Sequence, residues 1–280
     1  MSKKKYAVIG HPIGHTMSPF IHKRLFELSG ISAEYGVLDI SPEELDARYA
    51  DTLRALDGYN ITIPHKQNII PLLDDIDSKA KLYGSVNTVF NKDGRAKGFT
   101  TDPDGFLKAL EYADIPLSGR VVILGCGGAA RTMAYEAVLA GANLEFAVRE
   151  LSLPKAKKLV YEIKTKLGKD NVGCLSVDEL SGDITTLINA TPVGMSPKVD
   201  FQPIKDTQLS KCENVFDAIY NPLETRLIQK AKANGSNSEG GMSMLVWQAV
   251  VAHRHWDGST YDAADIEQLC ADAYEELKKR

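Results

Sequence analysis

The sequence predicts an α/β protein in two parts, on three observations. Short β-branched runs alternate with helical stretches through the first third of the chain, the pattern of a mostly parallel sheet. A linker at Ile115-Pro-Leu-Ser-Gly119 precedes a fresh apolar strand, Arg120-Val-Val-Ile-Leu124. That strand runs directly into Gly125-Cys-Gly127-Gly128 and a new helix.

The elements follow in order. Lys5–Ile9 reads as a strand, followed by a loop carrying Gly10, Pro12, Gly14 and Pro19. Phe20–Leu28 has helical apolar spacing and stops at Gly30. Glu34–Leu38 suggests a second strand. Ser41-Pro-Glu-Glu44 predicts a helix start, with Ser41 as N-cap, Pro42 at the first position and Glu44 completing a capping box. Gly58–Ile63 reads as a third strand, and Val86–Asn91 and Ala96–Thr100 as a hairpin turning at Lys92-Asp-Gly94. Asp104–Ala113 is a helix before the linker. Beyond it the pattern predicts a helix near Ala129–Ala140 and strands at Leu144–Val148, Thr186–Asn189 and Asn214–Ala218. Helices at Leu223–Ala233, Met242–His255 and Asp262–Lys279 complete the chain.

Composition narrows the function classes. Of 280 residues, 44% are hydrophobic and 25% charged, as in soluble globular proteins. A formal charge of −4 gives no electrostatic basis for nucleic acid or an anionic membrane as partner. Met1-Ser-Lys-Lys-Lys5 is basic like a signal-peptide start, but no apolar core follows it, so a cytoplasmic location is expected. Cys126, Cys174, Cys212 and Cys270 are dispersed and form no zinc or dithiol spacing. Cys126 reads as a small filler in the glycine turn. His11, His15, His22 and His65 lack metal-ligand spacing, so no metal is expected.

Gly125, Gly127, Gly128 and Ala129 follow an apolar strand and open a helix, the context a dinucleotide fingerprint requires. Glycines allow a tight turn and close approach of a pyrophosphate to backbone N–H groups at a helix N-terminus. The string is G-x-G-G-A, so a bare strand-to-helix turn stays open as an alternative. The next strand ends at Val148-Arg149-Glu150. A carboxylate there suits the ribose hydroxyl of NAD, and an arginine suits the extra phosphate of NADP. Lys155 adds positive charge, whereas Lys157 and Lys158 read as a solvated helix face.

A second constellation lies upstream. Thr16 and Ser18 sit in a Pro/Gly-framed loop, where hydroxyls also serve as turn-formers or caps. With Asn60, Thr62, Lys66, Asn87 and Asp102 they offer neutral donors and acceptors, one cation and one anion. That set suits a carboxylated polyol, with the polar groups of Lys66 and Asp102 presented from strand ends to a common cleft. A polyol site preceding a dinucleotide site suggests hydride transfer on a hydroxylated small molecule.

These motifs together resemble the shikimate dehydrogenase family, which includes quinate/shikimate dehydrogenases, over nearly the whole chain. The runs that carry the resemblance are G-H-P-I-G-H-T-M-S-P-F-I-H (10–22), N-I-T-I-P-H-K (60–66), G-S-V-N-T (84–88), T-T-D (100–102) and G-C-G-G-A (125–129). They continue with N-A-T-P-V-G-M (189–195), D-A-I-Y-N-P-L-E-T (217–225) and G-G-M-S-M-L-V-W-Q (240–248). The resemblance implies an N-terminal substrate domain over 1–103, rejoined by C-terminal helices in 243–280, and a Rossmann-type domain over 104–242. It implies reversible reduction of 3-dehydroshikimate to shikimate, a step of chorismate and aromatic amino-acid biosynthesis, by a monomer or homodimer. Lys66 and Asp102 match its catalytic pair. Thr16 and Ser18 fall where the substrate carboxylate binds, and Asn60, Thr62, Asn87, Thr101, Asp102 and Gln248 where ring hydroxyls bind, with Tyr220 near substrate. Ala218, Gly241 and Met244 fall near the nicotinamide, and Asn189, Thr191 and Met195 along the cofactor cleft.

Three departures bear on specificity. Thr16 replaces a serine, Thr100 replaces an asparagine, and Val148-Arg149-Glu150 replaces Asn-Arg-Thr. NADP is the expected cofactor on Arg149, with NAD as the alternative on Glu150. The alternative activity is an NAD-dependent quinate/shikimate dehydrogenase. A reading from another class is a non-catalytic nicotinamide-sensing protein, against which the retention of Lys66 and Asp102 argues; for the pair itself the alternative is a bare salt bridge between strand ends.

Overall fold

In the computed structural model, which describes residues 3–14 and 16–279, the chain divides into two units, Met1–Gly105 with Val246–Arg280 and Phe106–Leu245. Met1, Ser2, His15 and Arg280 lie outside the described residues, so the readings of the chain start and of His15 rest on sequence alone.

The first unit is built on a mixed sheet of β1 (Lys4–Gly10), β2 (Ala33–Asp39), β3 (Gly58–Ile61), β4 (Asp75–Ile76), β5 (Thr88–Lys92) and β6 (Arg95–Phe99), in the order β2-β1-β3-β5-β6-β4. β1 pairs in parallel with β2 and β3, and β5 runs antiparallel to β3 and β6. The hairpin turns where Asp93 and Gly94 both adopt positive φ, as a two-residue primed turn requires. Helices α1 (Ser18–Ser29), α2 (Leu45–Asp51), α3 (His65–Asn68) and α4 (Ser78–Tyr83) connect these strands. One face of the sheet packs Ile9, Tyr59, Ile61 and Val89 against Leu45, Tyr49 and Leu53.

Three expectations change here. β3 stops at Ile61, because Pro64 has no N–H to continue the ladder. Lys66 therefore stands on the short helix α3, not on a strand end. Asp102 likewise opens a helix, α5 (Asp102–Tyr112), instead of closing a strand. Ser41 does not cap α2, which begins at Leu45 with Glu44 as its N-cap. Glu44 still reaches back to the Ser41 N–H at 3.1 Å, so half of the expected box closes a turn before the helix.

The second unit continues with β7 (Arg120–Leu124), α6 (Gly128–Leu139), β8 (Asn143–Val148), α7 (Leu153–Leu167), β9 (Val172–Ser176) and β10 (Ile184–Asn189). It ends with α8 (Asp206–Leu209), β11 (Cys212–Asp217), α9 (Arg226–Ala233) and β12 (Asn237–Glu239). All six strands are parallel, in the order β12-β11-β10-β7-β8-β9. This is the doubly wound order, with its switch point between β7 and β10. Its core joins Val122, Leu124, Leu187 and Val215 to Leu227 and Ile228 of α9. α9 starts three residues later than its apolar spacing predicts, because Thr225 caps it by accepting from Ile228 N.

Helix α10 (Gly241–Asp257) begins in the second unit and, from Val246, belongs to the first, together with α11 (Ala263–Lys278). Within the first unit, buried Trp256 packs with Tyr6, Phe26 and Ala252 and donates from Nε1 to Val89 O at 2.9 Å. Gly58 makes room for it, since a Cβ there would lie 2.5 Å from that indole nitrogen. Among the described residues no helix is long and apolar enough to cross a membrane.

Candidate active site

In the first unit the polar residues singled out from sequence form one connected network. Lys66 Nζ donates to Asp102 Oδ2 at 2.5 Å, and Asp102 Oδ1 accepts from Asn87 Nδ2 at 2.8 Å. The pair is partly accessible, with 27% of the Lys66 and 15% of the Asp102 side chain exposed, so it is screened from water yet reachable. Asn87 is locked from behind: its Oδ1 accepts from Thr101 N at 2.7 Å, which turns its amide donors toward Asp102, Thr101 Oγ1 and Gln248 Oε1.

Backbone contacts explain why Lys66 stands there. Val86 N donates to Lys66 O, and Asn87 N donates to Phe99 O. The preceding side chain, His65, is fully buried and its Nε2 meets Ile40 O at 2.7 Å. Gly10 permits the approach of the 62–63 segment, because a Cβ there would sit 2.5 Å from Thr62 Cγ2. From the sequence, His65 carries no signal beyond the absence of metal-ligand spacing. Its actual role is an anchor beneath the α3 turn.

The second missed residue is Tyr35 on β2. Its hydroxyl donates to Asn60 Oδ1 at 2.7 Å and shares a hydrogen bond with Ser18. Burial pushes that hydroxyl well above the ordinary tyrosine range, and the Ser18 bond opposes the rise. Its ring stacks on buried His22 at 4.2 Å, and His22 Nδ1 meets His253 Nε2 at 3.1 Å. Burial holds both imidazoles below the usual histidine value. Asn60 completes its hydrogen bonding through Thr88 Oγ1 at 3.1 Å. Thr62 is half-buried beyond the end of β3. Thr16 Oγ1 donates to Ser18 Oγ and accepts from Ser18 N, both at 3.1 Å. The N-cap of α1 is Met17, with no side-chain cap bond, so Ser18 is not a helix cap. Among the described residues no group of His, Cys, Asp or Glu is placed to hold a metal ion.

In the second unit, β7 ends at a turn where Gly125 has φ +97° and a Cβ would lie 2.9 Å from Thr191 Cγ2. Gly127 caps α6, and Gly127, Gly128 and Ala129 are exposed with no acidic residue in the first helical turn. Nothing lies within 4 Å of where a Cβ of Gly127 or Gly128 would stand. The start of this twelve-residue helix is thus open at those Cβ positions, and its first backbone N–H groups suit a pyrophosphate. Arg149 and Glu150 follow β8, both exposed, with exposed Lys155 on α7.

The other predicted cofactor residues divide into two sets. Asn189 is fully buried, and its Oδ1 accepts from Thr191 N and Thr191 Oγ1. It shapes the loop after β10 from beneath, whereas Thr191 is half-buried and Met195 exposed. Ala218 and Tyr220 are half-buried after β11, and Met244 is half-buried on α10. Gly241 packs so tightly that a Cβ would lie 2.3 Å from Ala218 O, and its N–H donates to Ile219 O at 3.0 Å.

Comparison with known proteins completes the picture. Residues 8–89 match the family model for the shikimate dehydrogenase substrate binding domain. The chain is 37% identical to a shikimate dehydrogenase (NADP(+)) of Geobacillus kaustophilus (strain HTA426), over 97% of this chain and 99% of that one. The chain belongs to the shikimate dehydrogenase family. A family member from Methanocaldococcus jannaschii, also a shikimate dehydrogenase (NADP(+)), is 40% identical over 91% of this chain and 92% of its own. The fold agrees: the crystal structure of shikimate 5-dehydrogenase from Thermus thermophilus, in complex with NADP(H) and shikimate, superposes with a TM-score of 0.86. It is 33% identical and covers 96% of this chain and 99% of its own.

Proposed function

We propose that this chain catalyses the reversible reduction of 3-dehydroshikimate to shikimate with NADPH. The observation that carries the reading is the Lys66–Asp102 pair, 2.5 Å apart and ringed by the amides of Asn87 and Gln248 and the hydroxyl of Thr101. Reduction of a ketone needs a hydride at carbon and a proton at oxygen. A bound nicotinamide supplies the hydride. Lys66, as an ammonium, stabilises the developing alkoxide and gives it the proton; in the reverse direction the neutral amine takes a proton from the substrate hydroxyl. Asp102 fixes Nζ through Oδ2 and keeps lone pairs for a ring hydroxyl. Asn60, Thr62, Asn87, Thr101 and Gln248 serve the remaining hydroxyls. The turnover test is direct: purified protein given shikimate and NADP⁺ forms NADPH, whereas a folded protein that binds NADP⁺ without turnover would be a sensor instead.

Thr16 and Ser18 are assigned to the substrate carboxylate. Ser18→Ala and Thr16→Val should each raise the KM for shikimate about ten- to a hundredfold, the worth of one hydrogen bond to a charged group. The KM for NADP⁺ should stay within about threefold, since a bond absent from cofactor binding leaves that constant alone. Equal weakening of both would mean that the loop has collapsed.

The 2′-phosphate of NADP is assigned to Arg149 with help from Lys155, because a guanidinium holds phosphate through two donors. Glu150 is exposed and follows Arg149 directly; we take it to point to solvent, with its charge still near a phosphate held by Arg149. Glu150→Thr should therefore raise kcat/KM for NADP⁺ modestly and lower the preference for NAD⁺ by removing a like charge. A parent that prefers NAD⁺, and that loses kcat/KM for NAD⁺ in Glu150→Thr, would instead place the ribose hydroxyl on Glu150. We place the enzyme in the cytoplasm, consistent with its dispersed cysteines, which form no disulfide, as a monomer or homodimer.

A further inference from the structure

Asp217 closes β11 and is fully buried. Its Oδ2 accepts from Thr225 Oγ1 at 2.7 Å, and its Oδ1 accepts from Asn189 Nδ2 at 3.0 Å and from Ile219 N at 3.1 Å. All three donors are uncharged. Thr225 caps α9, and Asn189 closes β10 and holds Thr191. One carboxylate thus ties together the carboxyl ends of two adjacent strands, the segment after β11 and the start of a helix.

The doubly wound order places a dinucleotide across the switch between β7 and β10, one nucleotide half on each side. The glycine turn after β7 takes the pyrophosphate, and Arg149 after β8 marks the adenosine side. The nicotinamide half then falls on the carboxyl ends of β10 and β11, where Asp217 lies. None of the three donors neutralises the charge of that carboxylate, which therefore sits buried at a desolvation cost with no opposite charge among its hydrogen-bond partners. The oxidised nicotinamide ring is cationic and the reduced ring is neutral.

Building on the dehydrogenase reading, we propose that Asp217 is a positioning residue of the nicotinamide half-site whose buried charge favours the oxidised ring over the reduced one. Burial raises the Asp217 carboxyl to about 6, against the lowering effect of its bonds from Thr225, Ile219 N and Asn189. Its charge is therefore present above that pH and lost below it. Charged groups on the adjoining elements have partners of their own. Glu239 on β12, also raised by burial, accepts from Ser243; Glu224 pairs with Lys232; Arg226 donates to Asp200 O.

The test is the equilibrium Kd of the intact protein for NADP⁺ and for NADPH across the pH range around that pKa. The 2′-phosphate titrates in both ligands, so the ratio Kd(NADP⁺)/Kd(NADPH) isolates the ring. The ratio should rise about tenfold as pH falls through the Asp217 pKa, as a lost charge–charge attraction requires. In Asp217→Asn it should not change with pH. Thr225→Val removes a donor that lowers the pKa, so its transition should move to higher pH. That shift, with the behaviour of the parent, decides the matter even if Asp217→Asn fails to fold. A flat ratio in the parent, or an unchanged pH dependence in Asp217→Asn, overturns the inference while the dehydrogenase reading stands. Failure to bind either dinucleotide sinks both.

Discussion

Lys66→Ala is expected to lower kcat for shikimate oxidation by roughly 10²–10⁴-fold, the usual contribution of a general acid–base group, with KM changed little. The geometry gives the reason. Nζ is held at 2.5 Å from Asp102 Oδ2 on a helix turn anchored by His65 and by Val86 N, so the amine is placed before substrate arrives. Asp102→Asn should also be severe, because an amide both accepts less strongly from the ammonium and cannot balance its charge. The two act as a unit, so Lys66→Ala/Asp102→Asn should cost far less than the product of the single losses. A kcat within about threefold of the parent and a raised KM would make Lys66 a binding residue and the proposed mechanism wrong.

Gly241→Ala should show the largest structural effect. The added Cβ would meet Ala218 O at 2.3 Å and the carbonyl carbon of Ala218 at 2.6 Å, and both are backbone atoms that cannot rotate away. Either the start of α10 moves or the 218–219 segment does, and the Gly241 N–H bond to Ile219 O is lost. Overpacking of this kind costs about 1–3 kcal/mol and occasionally more. For a unit of this size each kcal/mol lowers Tm by roughly 2–4 °C. Calorimetry should show that drop, together with weaker NADP⁺ binding. Gly127→Ala is the contrast. Nothing lies within 4 Å of its Cβ position, so Tm should hold while the methyl intrudes where the pyrophosphate approaches. An unchanged Tm and Kd in Gly241→Ala would contradict the packing described here.

Much of this architecture was legible in the chain because it is written in local patterns. β7, its glycine turn and α6 follow one another within a few residues, and the Asp93-Gly94 turn carries its own chemistry. α4 and β4 were not legible: Ser78–Tyr83 and Asp75–Ile76 are too short for either period to show. β9 and β12 contain Gly173, Cys174 and the polar run Asn237-Ser-Glu, which sheet pairing overrides. Lys66 and Asp102 stood out through the motifs around them, although the strands expected to carry them end earlier. Tyr35 carried no such signal, because its partner Asn60 is brought near it only by the β2-β1-β3 order. Asp217 is the same case, since Asn189 reaches it only across the β10–β11 ladder.

The central claim is best tested by kcat/KM measured for shikimate and for quinate, each with NADP⁺ and with NAD⁺. The account predicts that shikimate with NADP⁺ exceeds the other three combinations, with a turnover of about 1–10³ s⁻¹. A highest kcat/KM for quinate with NAD⁺, or no turnover in any combination by a protein that binds dinucleotide, would contradict it.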